Sequence, residues 1–127
     1  MIDALFQSPN LVAARQLLDV TVTRHRAIAA NLANLETPGY RRVDVPEAFE
    51  KQLQQAIGSG DLTSVKAMHP MIATDPNARV QRPDGNTVDL EMELVRLQRN
   101  SVEHAVESHF VTGALMKLRH AITGRPA

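Results

Sequence analysis

The side chains in this 127-residue chain that could do chemistry are five histidines, a run of carboxylates, a few serines and paired arginines. Metal binding needs histidines at compact spacing, yet His104 and His109 stand five apart and His25, His69 and His120 lie far from one another. Asp89, Glu91 and Glu93 alternate along a helical stretch, so they do not converge on one substrate and read instead as charges favoured by a helix N-terminus. Ser101 and Ser108 have histidines nearby but no strand-turn-helix context for a nucleophile. Arg41-Arg42 is too short for a nucleic-acid patch in a chain whose 14 Lys and Arg balance 14 Asp and Glu, and reads as a solvated or partner-facing pair. There is no cysteine, which removes disulfides and thiolate chemistry. The expectation is a protein that is not an enzyme, with no catalytic, metal or cofactor-binding residues, no small-molecule substrate and no nucleic-acid partner. Its partners should be proteins.

Those residues must sit on a scaffold, and its composition limits the choice. Hydrophobic residues make up 43% and aromatic residues 3%, so aliphatic helix packing is expected rather than a core of large rings. The length suits one domain spanning 1–127. No stretch approaches the roughly 18 apolar residues of a spanning helix. Met1 to Phe6 lacks the basic region and long apolar segment of a cleavable secretory signal.

Two long helices frame the chain. Ser8-Pro9 is a helix start, Ser as cap and Pro at the first position, and a heptad-like register follows through Leu11, Ala14, Leu18, Thr21, His25, Ile28, Leu32 and Leu35. Thr37-Pro38-Gly39 stops it, giving an N-terminal helix over 8–36. After Asp84-Gly85-Asn86, with Asn86 as candidate cap, a second register runs through Leu90, Leu94, Leu97, Ser101, His104, Ser108, Val111, Leu115, Leu118 and Ile122. Gly124 and Pro126 end this helix, placed at 87–123. Between them, 37–86 holds a turn, one short amphipathic helix opened by Pro46 and closed by Gly58, and a proline-broken extended connector. The fold class is all-α, an antiparallel coiled-coil hairpin of terminal helices with a loose middle.

The seams leave apolar surface over. Val12, Leu17, Val20 and Val22 on the first helix, and Met92, Val95, Val102, Val106 and Phe110 on the second, fall off the stripe and should stay exposed in a two-helix hairpin. Contiguous exposed apolar surface marks an interaction site. Seam residues Leu18, Ile28, Leu32, Leu90, Leu94, Leu97, Leu115, Leu118 and Ile122 are therefore candidates for helix packing and assembly.

One stretch goes further than periodicity. Ala30-Asn31-Leu32-Ala33-Asn34-Leu35-Glu36-Thr37-Pro38-Gly39-Tyr40-Arg41 resembles the N-terminal signature of the flagellar rod and hook proteins, in which Asn31, Asn34, Thr37, Pro38, Gly39 and Tyr40 match the motif. The run Asp84 to Glu91 with Glu93, Asn100 and Ala121-Ile122 is similar to the end of a short proximal-rod subunit. The Arg-x-Tyr-Glu-Ala-Asn close usual in another short rod protein, FlgC, is missing. His104 stands where tyrosine is common.

The resemblance implies a structural subunit of the basal-body rod that polymerises through terminal helices and transmits torque. It implies copies of itself, FlgC and neighbouring rod proteins, the rod-to-membrane-ring adaptor FliE and the type III export gate as partners. The place implied is the rod in the periplasmic space, reached without a cleaved signal. Met1-Ile2 with Leu5-Phe6, and Phe49 with Leu53, resemble elements read by that gate. A soluble coiled-coil secretion chaperone or adaptor is the alternative reading of the same helices.

Overall fold

The computed structural model describes residues 7–79 and 82–124. The Met1-Ile2 and Leu5-Phe6 element and Pro126 lie outside those residues. Helix α1 spans Pro9–Ala33. Its start follows the sequence: the Ser8 hydroxyl accepts the Leu11 amide at 3.3 Å and Pro9 occupies the first turn. The Val20 to Thr23 run stays helical inside it, because tertiary burial outweighs a weak strand preference. The helix ends at Ala33, three residues before position 36, because the Asn34 carboxamide turns back to donate to the Ala30 carbonyl at 2.8 Å.

The middle of the chain is more regular than the proline-broken sequence suggests. Strand β1 (Val43–Asp44) leads into α2 (Glu47–Ser59), then α3 (Leu62–Ala67) and strand β2 (Ala73–Thr74). The strands pair antiparallel, Val43 opposite Thr74 and Asp44 opposite Ala73. Helix α2 begins after Pro46 as expected but runs through Gly58 and closes at Gly60, whose φ of 74° is the left-handed conformation that glycine takes without strain. The expectation of an extended connector is corrected by α3, capped where the Asp61 carboxylate accepts the Ser64 amide at 3.1 Å, and by the β1–β2 pair. Elements of six and two residues are shorter than any sequence period can reveal.

The middle packs on α1 instead of hanging loose. Val12, Val20, Val45, Leu53 and Val65 form a buried apolar cluster, flanked by Leu17, Phe49, Ala56, Ile57, Leu62 and Met68. Val12 and Val20, expected to remain exposed, are covered because α2 and α3 lie over that side of α1. Leu53 is 1% exposed at the centre of the cluster and Phe49 is half-buried beside it.

Helix α4 (Leu90–Thr123) packs along α1. Asp89 caps it, accepting the Met92 amide at 3.2 Å, in place of Asn86. The contacts run in opposite senses along the two helices: Asn31 meets Glu93 at 3.2 Å, the Asn100 amide donates to the Thr21 carbonyl at 2.9 Å, and the Thr21 hydroxyl lies 3.1 Å from His104 Nδ1. On α1 the seam residues Ile28, Leu11 and Ala14 are buried and Leu18 and Leu32 half-buried, while His25 is exposed. On α4 the face turned inward is a different one. Glu93 and Asn100 are its buried residues, Leu97 and Leu118 are half-buried, and Leu90, Leu94, Leu115 and Ile122 are 43–60% exposed. The seam expected of α4 thus meets α1 only in part, and its neighbours Glu93 and Asn100 are the buried positions because they hydrogen-bond to Asn31 and Thr21 on α1.

Glu107, on that inward face, lacks a partner for its Oε2. Burial, then repulsion from Glu103, pushes its carboxyl above the ordinary value, with Thr21 and Arg24 opposing. A carboxyl raised on folding is destabilising when charged, so the cost is present at neutral pH and vanishes below the unfolded value. Glu107→Gln should therefore raise the urea midpoint of the isolated chain at pH 7, with the gain disappearing near pH 4. An equal gain at both values would contradict the assignment.

Candidate functional site

The motif residues at the end of α1 converge on a buried polar joint where the terminal helices, the β1–β2 pair and the turn before α4 meet. Asn31 is fully buried, and its carboxamide acts as a strand partner. Its Oδ1 accepts the Val43 amide at 2.9 Å and its Nδ2 donates to the Val43 carbonyl at 2.8 Å and to Glu93. The Tyr40 hydroxyl adds a long contact to Asn31 Oδ1 at 3.4 Å. Burial, followed by the negative charge of Glu93, pushes that hydroxyl up from its ordinary value, so it stays a neutral donor.

Arg42 holds the centre. It is 3% exposed and its guanidinium reaches three carboxylates, Glu93, Asp44 at 2.7 Å and Asp75 at 2.7 Å. Glu93, itself 0% exposed, also accepts from Arg96 at 2.9 Å. Asp44 extends the chain of charges to Arg24 on α1 at 3.2 Å, and Arg24 binds Glu50 on α2. Burial alone would raise the Asp44 carboxyl, but hydrogen bonding and charge from Arg42, the Val45 amide and Arg24 together hold it below the ordinary range. One network thus links α1, β1, α2, the end of β2 and α4.

A second set of bonds fixes the turn that leaves α1. Asn86 Nδ2 lies within 3.0 Å of the carbonyls of Asn34, Leu35 and Thr37, so its two hydrogens are shared among three acceptors beyond the helix end. Arg82 also donates to the Leu35 carbonyl, where positive charge suits the helix C-terminus. Thr37 donates its hydroxyl to Asn34 Oδ1 at 3.2 Å. Pro38 is exposed and makes the bend. Gly39 sits at φ 70°, its amide donating to the Asp84 carbonyl at 2.9 Å, and its Cα lies 3.6 Å from where a Cβ on Gly85 would be. The Thr87 amide donates to the Tyr40 carbonyl at 3.0 Å and the Arg42 amide to the Thr87 hydroxyl at 2.8 Å, which continues the clasp.

Two stretches about 50 residues apart in the chain therefore act as one part, the same two that carry the sequence resemblance. No family model matches the chain. Among curated proteins, the flagellar basal body rod protein FlgB of Aeromonas hydrophila is 30% identical, with 84% of this chain and 87% of the relative covered. The chain belongs to the FlgB family of flagellar basal body rod proteins. FlgB of Escherichia coli strain K12 is 28% identical over 85% of this chain and 88% of its own. FlgB of Aquifex aeolicus is 27% identical, with 95% of this chain and 97% of the relative covered.

Within this FlgB-family chain the structure brings together Asn31, Asn34, Thr37, Gly39 and Tyr40, whereas Phe49 and Leu53 lie apart in the apolar cluster. Sequence reasoning missed Asp44 and Asp75, and it took Glu93 for a helix-end charge, Asn86 for a cap and Arg42 for part of a solvated or partner-facing pair, whereas Arg42 is buried among carboxylates of its own chain. One signal was present: Glu93 and Asn100 are seven apart, two polar positions in phase on one helix face.

Removing one member of a buried pair leaves the other uncompensated, at roughly 3–5 kcal/mol. Arg42→Met should cost about that much in urea denaturation and unfold much of the chain at room temperature. A loss under about 1 kcal/mol would remove the joint from its central place.

Gly39 offers a finer check. Nothing lies within 4 Å of a Cβ built there, so the cost of a substitution is backbone strain alone. Gly39→Val should lose about 1–3 kcal/mol and Gly39→Asn distinctly less, since Asn tolerates the left-handed region. Equal losses would point to crowding.

Proposed function

We propose that this chain is a structural subunit of the proximal flagellar rod, acting as one domain that polymerises through its terminal helices and helps to transmit torque. The observation that carries this reading is the outer face of α4, where Val95, Val102, Val106 and Phe110 are 50–65% exposed along a helix whose buried residues are Glu93 and Asn100. A helix with its apolar residues outward is stable when neighbours cover them. The joint around Arg42 supports the mechanical part: charges bonded across several elements resist bending between α1 and α4.

The partners proposed are further copies, FlgC and neighbouring rod proteins, and the adaptor FliE, with the subunit in the periplasmic part of the basal body. In this scheme the type III export gate passes the chain unfolded. Leu53 is at the centre of the core, so Phe49 and Leu53 could be read by the gate only before the fold closes. The helix-packing role falls to Leu18, Ile28 and Leu32 inside the subunit and to Leu90, Leu94 and Leu115 between subunits.

Cell fractionation tests the whole reading, because a rod subunit co-purifies with basal bodies; protein found only in the cytosol would defeat it. A strain that secretes but cannot complete later rod steps separates the two roles. Leu115→Asp should reach the periplasm and fail to build a stable rod, while Phe49→Ala with Leu53→Ala should be retained in the cytoplasm. Normal export of the double variant would make Phe49 and Leu53 packing residues only.

A further inference from the structure

A cleft of about 770 Å³ lies between α1, the start of α2, the turn after β2 and α4. Its wall carries six carboxylates against three arginines. Five of the six have basic partners inside the chain: Asp44 and Asp75 pair with Arg42, Glu50 with Arg24, Glu47 with Lys51 and Glu103 with Arg99. Glu107 has no ion pair among the described residues, and its Oε2 is buried without a hydrogen bond. Asn100, seven residues earlier on the same face and only 2% exposed, leaves its Oδ1 equally unanswered. Both residues line the cleft. Two orphan acceptors in a net-negative cleft call for an occupant that brings hydrogen-bond donors and positive charge.

The chain carries a segment of that character. No Asp or Glu follows Glu107, whereas Lys117, Arg119 and Arg125 do, and Lys117 and Arg119 are exposed on the last turns of α4. They cannot serve their own cleft, because ten residues of continuous helix hold Lys117 about 15 Å beyond Glu107. We propose that the cleft receives the basic end of α4 from a second copy of this chain, a Lys117 or Arg119 cation binding Glu107 while a second donor of that helix satisfies Asn100. The contact joins two different surfaces head to tail, and repeated it extends a line of subunits instead of closing a dimer. It rests on the assembly reading above and names which part of one subunit meets which part of the next.

Sedimentation velocity of the purified full chain, run over a concentration series to several hundred micromolar at low and high salt, tests it. Self-association should weaken with salt. It should fall about tenfold in Glu107→Gln and again in Lys117→Glu with Arg119→Glu, close charge pairs at interfaces being worth at least that. Glu107→Gln is expected to fold more stably at pH 7, so its loss of association would not reflect unfolding. Mixing Glu107→Lys with the Lys117→Glu, Arg119→Glu chain should restore association that each lacks alone. Unchanged association in Glu107→Gln and in the tail-reversed chain would overturn this contact and leave the apolar faces to carry assembly. A wild-type chain monomeric throughout would also overturn it, whereas absence from basal bodies would defeat the rod reading itself.

Discussion

Arg42 and Glu93 are charged groups almost wholly removed from water, and the path of the chain follows from having to satisfy them. Desolvating a charge is unfavourable by several kcal/mol unless partners surround it. Arg42 meets this condition only if β1 brings Asp44, the end of β2 brings Asp75 and α4 presents Glu93 at the same point. Glu93 in turn needs Asn31 and Arg96. Slide α4 by one turn along α1 and two charges and several amides lose their partners together. The network therefore sets register between helices in the way a buried polar residue does in a coiled coil.

That choice decides how apolar residues are distributed. On α1 they face two ways, Ile28 and Leu11 among the buried residues and Val12 and Val20 under α2 and α3. On α4 the inward stripe is given to Glu93, Asn100 and Glu107, Leu97 and Leu118 beside it are half-buried, and Val95, Val102, Val106 and Phe110 look outward. The α1–α4 contact is specified largely by hydrogen bonds, while the apolar outer face of α4 stays uncovered within the subunit. Such a division suits a protein that must fold singly and then associate tightly.

The motif gains a physical meaning from its partners. Asn31 replaces a strand by bonding both backbone groups of Val43. Asn34 closes the helix on Ala30 and receives the Thr37 hydroxyl. Gly39 supplies the left-handed turn that lets its amide reach Asp84. Each residue type is the one that can make its bond in that backbone setting, and Asn86 ties the result to the segment ahead of α4.

Local rules were enough to find the two long helices, the Ser8-Pro9 start, the turn at Thr37-Pro38-Gly39 and the helix after Pro46, because caps, prolines and periodic apolar residues act within a few positions. The motif was legible for the same reason. Helix α3 and the β1–β2 pair were not, being too short to carry a period; Asp61 caps the helix, and the pair forms where the Asn31 carboxamide holds Val43 and the Asp75 amide holds the Arg42 carbonyl. Which face of α4 turns inward was beyond the sequence too, since its apolar register and its Glu93–Asn100 stripe are both in phase with a helix. Periodicity records that a helix has faces. Only the tertiary structure, by bringing Arg42, Asn31 and Thr21 opposite the polar stripe, made the buried face the hydrogen-bonded one.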